Sequence, residues 1–145
     1  MNDIASLATR EDIERLQAAI SLMPQAQLPT QHYFADGMYC RVLFRPKGTL
    51  IVGKVHKKEH LYIVCSGTVH VVGCGESRTI IGPAVIVSAP GTKRAVLALT
   101  EATCLTVHRT DLTDLEAIER DLLEDDPTAL FDARNELKQP ALEAI

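Results

Sequence analysis

The chain has 145 residues, 46% of them hydrophobic and 23% charged, with a formal net charge of −4. That length suits one domain around one core, and the composition is globular rather than disordered. No long basic block offers a nucleic-acid surface, Met1-Asn2-Asp3-Ile4 opens no secretory leader, and no apolar run reaches a membrane span. The expectation is a cytoplasmic protein with neither nucleic-acid nor membrane partners.

Thr9-Arg10-Glu11-Asp12 has the form of a capping box, with Ile13, Leu16 and Ile20 following at helical spacing. This predicts a helix over 10–22, ending before Pro24. Residues 24–31 read as a linker, so 1–31 is taken as a helical lead-in that packs on its own sheet or on a partner's. His32 falls at the linker's end.

From 32 to 110 the signals are those of strands: short β-branched runs between Gly, Pro and Ser. Eight are predicted, at Met38–Arg45, Thr49–His56, His60–Cys65, Thr68–Val72, Arg78–Ile81, Val85–Ser88, Arg94–Leu99 and Thr103–His108. Gly75-Glu76-Ser77 is read as a hairpin turn and Pro90-Gly91 as a corner. Eight strands with no helix between them predict an all-β sandwich or barrel. His70 is read as an ordinary strand residue.

Beyond residue 110 the period turns helical, and 111–145 is taken as a C-terminal helical segment. Thr113-Asp114-Leu115-Glu116 reads as a second capping box before a stripe of Leu115, Ile118 and Leu122. Asp126-Pro127 is expected to cap a further helix running to about Lys138, which Gln139-Pro140 ends. The cysteines (Cys40, Cys65, Cys74, Cys104) are scattered with no C-x-x-C, so reduced core thiols are expected rather than a zinc site.

The most informative stretch is Gly48–Gly67. It has glycine at both ends, β-branched runs on both flanks, and His56 and His60 between them. Two imidazoles brought together across a bend between strands can ligate a transition metal. Lys54 shares a strand face with His56, either as a ligand-binding cation or as a rim residue. Tyr62 and Cys104 share parity with His60 and His108, lining a pocket or packing in the core. Glu59 is either a carboxylate orienting an imidazole or an exposed residue. No Ser-His-Asp or Cys-His pattern and no phosphate-cradling glycine loop is present.

These residues resemble the cupins. In the first cupin motif a Gly, His-x-His, a Glu and a Gly recur at set spacing; here Gly48, Lys54, His56, His60 and Gly67 take those places. Lys54 replaces the first His and His60 replaces the Glu. Gly82 and Ala89-Pro90-Gly91-Thr92 echo the second motif, whose His is replaced by Arg94 or, in the other register, Lys93. His108 can restore the ligand set if strands 94–99 and 103–108 pair across Thr100-Glu101-Ala102, which sets His108 opposite Arg94. The set is then His56, His60 and His108.

More narrowly, His56–Leu61, Gly82-Pro83-Ala84, Pro90–Lys93 and His108-Arg109-Thr110 resemble small single-domain cupins of phages and prophages. The resemblance covers residues 32–115. It implies a small jelly-roll barrel with an N-terminal helix and one or two C-terminal helices, usually a homodimer, in the host cytoplasm if phage-encoded. It further implies a divalent transition metal (Fe, Zn, Ni or Mn) on the three histidines. The function is then that of a metal-dependent enzyme, a non-catalytic binder in which Lys54 and Arg94 clamp a small anionic molecule, or an oligomeric interaction module.

Overall fold

The computed structural model describes residues 9–73 and 75–138. Two antiparallel sheets face each other. One has five strands in the order β1 (Thr30–Ala35), β2 (Met38–Arg45), β9 (Ala102–Arg109), β4 (His60–Ser66), β7 (Ala84–Ser88). The other has four, in the order β3 (Leu50–Val52), β8 (Ala95–Ala98), β5 (Thr68–Gly73), β6 (Glu76–Ile81). Helix α1 (Arg10–Ile20) precedes the strands and α2 (Leu115–Leu122) follows them. This is the expected all-β jelly roll with flanking helices.

Alternation in the strands fills the space between the sheets. Tyr62 and Val64 of β4, Val69 and Val71 of β5, Ile80, Val96, Ala102 and Cys104 form one buried cluster. A second cluster lies nearer one end, where Ile118 and Leu122 of α2 pack on Tyr39. Gly67 shows how tightly the connections close. Its φ is +86°, and a Cβ there would lie 2.2 Å from the Glu101 carbonyl oxygen, so only glycine fits.

Both helix starts are capped. Thr9 and Asp12 make the predicted reciprocal box, and α1 buries Ile13 against this chain's own barrel. Its free end is tied to the C-terminal segment by Arg10–Glu124 (2.6 Å) and Gln17–Asp126 (3.1 Å). At α2 the cap is Asp114, whose carboxylate accepts from the Ala117 N–H; Thr113 takes no part.

Several expectations need correcting. Thr30–Ala35 is a strand paired with β2, so the linker ends earlier than expected and His32 is a strand residue. The third strand stops at Val52, and His56 lies beyond it, in a loop. Glu76 and Ser77 belong to β6, which pairs with β5 from Gly73↔Glu76 onward, and Gly75 is the described turn residue; Cys74 lies outside the described residues. The helix after Pro127 does not form. The Asp126 carboxylate folds onto the Thr128 N–H and hydroxyl, Asn135 has a φ of +62°, and Phe131 bridges to Leu137. The Asp126 cap therefore forms, because a helix start leaves the Thr128 N–H without an intrahelical partner, but only one turn follows, closed by the Ala129 N–H on the Asp126 carbonyl at 3.1 Å. The expected stop at Gln139-Pro140 also lies outside the described residues.

The largest correction concerns β8 and β9. They do not pair: β8 joins β3 and β5, while β9 lies between β2 and β4 in the opposite sheet. Residues 99–101 carry the chain across the sandwich rather than around a hairpin. His108 faces Tyr39 of β2, not Arg94.

Candidate metal centre

Three segments bring the imidazoles together. Tyr39, Arg41, Leu43 and Arg45 alternate along β2, and β9 sets His108, Thr106, Cys104 and Ala102 opposite them in the same register. On the other side of β9, Leu61 pairs with Val107 on the outer face, which leaves His60 beside His108 on the inner face. His60 and His108 are buried, at 7% and 6% exposure.

His56 arrives from the loop, and backbone hydrogen bonds hold it there. Its carbonyl accepts from the Gly91 N–H at 2.9 Å, and it bridges to Leu123. On either side, Lys57 N–H donates to Leu122 (2.7 Å) and Glu124 N–H donates to Val55 (2.9 Å). The segment at the end of α2 thus acts as a brace for a ligand that no strand carries.

The ring centroids of His56, His60 and His108 lie 4.0 Å, 4.8 Å and 5.0 Å apart. One ring nitrogen from each falls within 4.8 Å of the others. Two nitrogens at ordinary metal distances of 2.0–2.1 Å are separated by at most about 4.2 Å. A cation therefore fits after an inward turn of the rings on the order of half an ångström. His60 Nδ1–H donates to the Lys58 carbonyl at 3.2 Å, which leaves Nε2 as the lone-pair nitrogen.

Burial and the neighbouring rings keep the imidazoles neutral. His56 is pushed down to about 2, chiefly by burial and then by His60 and His108. His108 is pushed down to about 4 by burial first, then by His60 and Arg41. Burial also lowers His60, against the Lys58 hydrogen bond. Neutral imidazole is the form that binds metal. The residues thus fit a divalent transition ion.

Behind the imidazole cluster stands an aromatic column. Tyr39 stacks on His108 at 5.8 Å and on His32 at 5.9 Å, and its hydroxyl is hydrogen-bonded to His32 Nδ1 at 2.7 Å. Burial raises the Tyr39 phenol to about 12, so it stays protonated. Sequence reading missed this column. Its one signal was the alternation of His32 and Phe34 ahead of a strand.

A cavity of about 640 Å³ opens beside the cluster. His56, His108, Tyr39, Arg41, Thr106 and Lys54 contribute to its wall. Its size is that of a small-molecule site. Arg41 is the residue sequence reading passed over. It sits one inward step below Tyr39 and His108, paired with Thr106 across the sheet. Burial lowers its pKa, and no hydrogen bond or ion pair engages it among the described residues. Glu119 is the carboxylate near enough to act on it, but Lys54 holds that carboxylate at 2.6 Å.

The other singled-out residues fall elsewhere. Lys54 lines the cavity, yet its ammonium is taken by Glu119 and by the Phe131 carbonyl (3.0 Å). Arg94 donates to the buried Ser88 hydroxyl and lies 4.0 Å from Glu76. The two were expected to clamp one ligand together; they are committed to separate partners. Tyr62 and Cys104 pack in the central core. Glu59 is exposed and bonds no imidazole among the described residues. His70 bonds Thr79 and Ser77 as an ordinary strand residue.

No protein-family model matches the chain, and no curated protein matches it. Solved structures do. A cupin superfamily protein of Desulfitobacterium hafniense is similar with a TM-score of 0.51 and 13% identity, over 63% of this chain and 86% of that one. An RmlC-like cupin of Shewanella frigidimarina is similar with a TM-score of 0.51 and 16% identity, over 59% and 78%. A putative ethanolamine utilization protein Q of Salmonella typhimurium gives 0.50 and 13%, over 59% and 71%. At these identities the likeness is one of fold: the barrel is a cupin barrel. No described helix is long and apolar enough to cross a membrane.

Proposed function

From the cupin barrel and its three converging imidazoles we propose a protein that holds one divalent transition metal (Fe, Zn, Ni or Mn) on His56, His60 and His108. The same reading has it bind a small carboxylate- or phosphate-bearing molecule in the adjoining cavity. The cluster of three neutral rings carries the first half. Imidazole-only ligation favours Zn, Fe or Ni over Mg or Ca, with Mn the poorest match of the four, and three protein ligands leave coordination places for water or ligand. When bound, the metal supplies Lewis acidity at the cavity wall.

The charge balance supports the second half. Three neutral rings leave a bound dication uncompensated, and Arg41 adds a cation to the same wall. A ligand that meets both charges is anionic, and a guanidinium with no competing partner suits a planar carboxylate or a phosphate. Arg41 takes the anchoring role that sequence reading gave to Lys54 and Arg94. Lys54 instead occupies Glu119 and so keeps Arg41 open to the ligand.

The second reading is a non-catalytic binder, such as a phage-type sequestering protein, and it draws on the same cavity and the same guanidinium. A homodimer is part of the proposal under either reading. Its support is the outer face of the larger sheet, where Val87, Leu61, Val107 and Cys40 form one row and Val85, Ile63, Leu105 and Val42 the next. Val85 and Val87 are 64% and 63% exposed.

Elemental analysis of protein purified without chelator tests the metal. The expected result is close to one equivalent per chain, lost in His56→Ala. Trace metal that His56→Ala leaves unchanged refutes it. Thermal shift against small carboxylates and phosphates, with and without metal, then tests the ligand; Arg41→Met is expected to abolish the response.

A further inference from the structure

Below the Arg41 rung, at the foot of β2, lies a second and much smaller hollow of about 30 Å³. Arg41, Arg45, Tyr62, Cys104 and Leu43 are among the residues around it. It is separate from the metal centre: no histidine lines it, and Arg45 does not reach the large cavity.

Arg45 makes this hollow unusual. It is only 7% exposed, and its Nε and Nη1 have no hydrogen-bond partner among the described residues. The Tyr62 hydroxyl, also on a residue 7% exposed, has no nitrogen or oxygen partner among the described residues and has the weakly polar Cys104 thiol beside it. Arg45 and Arg94 lie 6.0 Å and 5.9 Å from the Tyr62 ring centre. Arg94 has Ser88 and a distant Glu76, whereas Arg45 has no ion pair among the described residues.

A guanidinium cannot shed its proton at ordinary pH, so its buried charge needs a counter-charge. Water can satisfy the orphan donors but not the charge. The hollow holds a water or a single ion of similar size, not a polyatomic metabolite. The Arg45 Nε and Nη1 offer N–H donors and no lone pair, and the Tyr62 phenol can turn its O–H toward an anion.

We propose that Arg45 and Tyr62 form a structural site for one halide-sized monoanion, chloride under ordinary conditions, in the hollow at the foot of β2. Its occupancy does not depend on the metal. It neutralises the cation behind Arg41 and leaves Arg41 as the positive group facing the cavity.

The test uses the full chain stripped of metal with a chelator. Unfolding is measured in sodium chloride and in sodium gluconate at equal ionic strength. A ligand bound only by the folded state raises the folding constant about elevenfold at ten times its dissociation constant. A saturable rise of that kind in chloride is expected, absent in Arg45→Met and weakened in Tyr62→Phe. Crystals grown in bromide are expected to show an anomalous peak within about 3.5 Å of the Arg45 guanidinium. If Arg45→Met does not fold, Tyr62→Phe and the bromide peak decide. Equal stability in the two salts, a chloride response that survives in Arg45→Met, or the lack of a bromide peak overturns the proposal. None of these outcomes bears on the metal reading, which rests on other residues.

Discussion

Acid should destabilise the metal-free protein through its buried histidines, and His108 permits a number. Its imidazole titrates near 6.5 when free and at about 4 in the folded chain. Between those values the unfolded chain binds a proton that the folded chain refuses, so stability is full above pH 6.5 and falls as the pH drops. At about 1.4 kcal/mol per unit, the 2.5-unit gap (6.5 − 4) amounts to roughly 3 kcal/mol. About 2 kcal/mol of this is lost by pH 5, and little more below pH 4. Burial at 6% exposure is the main cause, so little screening discount applies. The assay is urea unfolding of wild type and His108→Gln from pH 8 to pH 4 with chelator present. Glutamine cannot titrate, and its removal of one ring also relieves His56. The variant's pH curve should therefore be flatter by at least that amount, even though carboxylates held low, such as Asp126, steepen both. Parallel curves for the two proteins would show that the rings are hydrated and not the closed cluster described above.

Three further outcomes follow from single contacts. Lys54→Met breaks a half-buried pair with Glu119 and should cost about 1 kcal/mol in thermal unfolding. It also frees Glu119 to pair with Arg41, so calorimetry should show weaker carboxylate binding although Lys54 itself is not the anchor. Gly67→Ala drives a methyl into the Glu101 carbonyl at a positive φ and should destabilise by more than about 3 kcal/mol, read from the urea midpoint. Leu122→Ala empties a site only 3% exposed beneath Tyr39 and should cost about 2–4 kcal/mol, with faster hydrogen exchange at Lys57, whose amide bonds the Leu122 carbonyl.

Much of the frame was legible because it is local. The apolar, strand-favouring runs of Met38–Arg45 and Thr103–His108 marked both as strands. Thr9 with Asp12, and the stripe of Ile118 and Leu122, marked the helices. Parity tied Tyr62 to the face of His60 and Cys104 to the face of His108, and that survived a wrong partner for β9. His108 was placed inside through a hairpin that does not exist; the alternation was right and the pairing was not.

What could not be read locally depends on which segments meet. Thr30–Ala35 becomes a strand where β2 offers it an edge; its own signal, the alternation of His32 and Phe34, was too short to set it apart from the linker. The β8–β9 crossover follows from how two sheets close, not from the three residues between them. The largest shift in meaning came from charge. Lys54, Arg94, Arg41 and Arg45 are four similar cations in the sequence, since a side chain's charge is written there but its counter-charge is not. Folding gives Glu119 to Lys54, gives Ser88 to Arg94, and leaves Arg41 and Arg45 without an ion-pair partner among the described residues. Alternation along a strand is a property of consecutive residues; compensation of a buried charge is a property of residues far apart in the chain, and tertiary packing alone decides it.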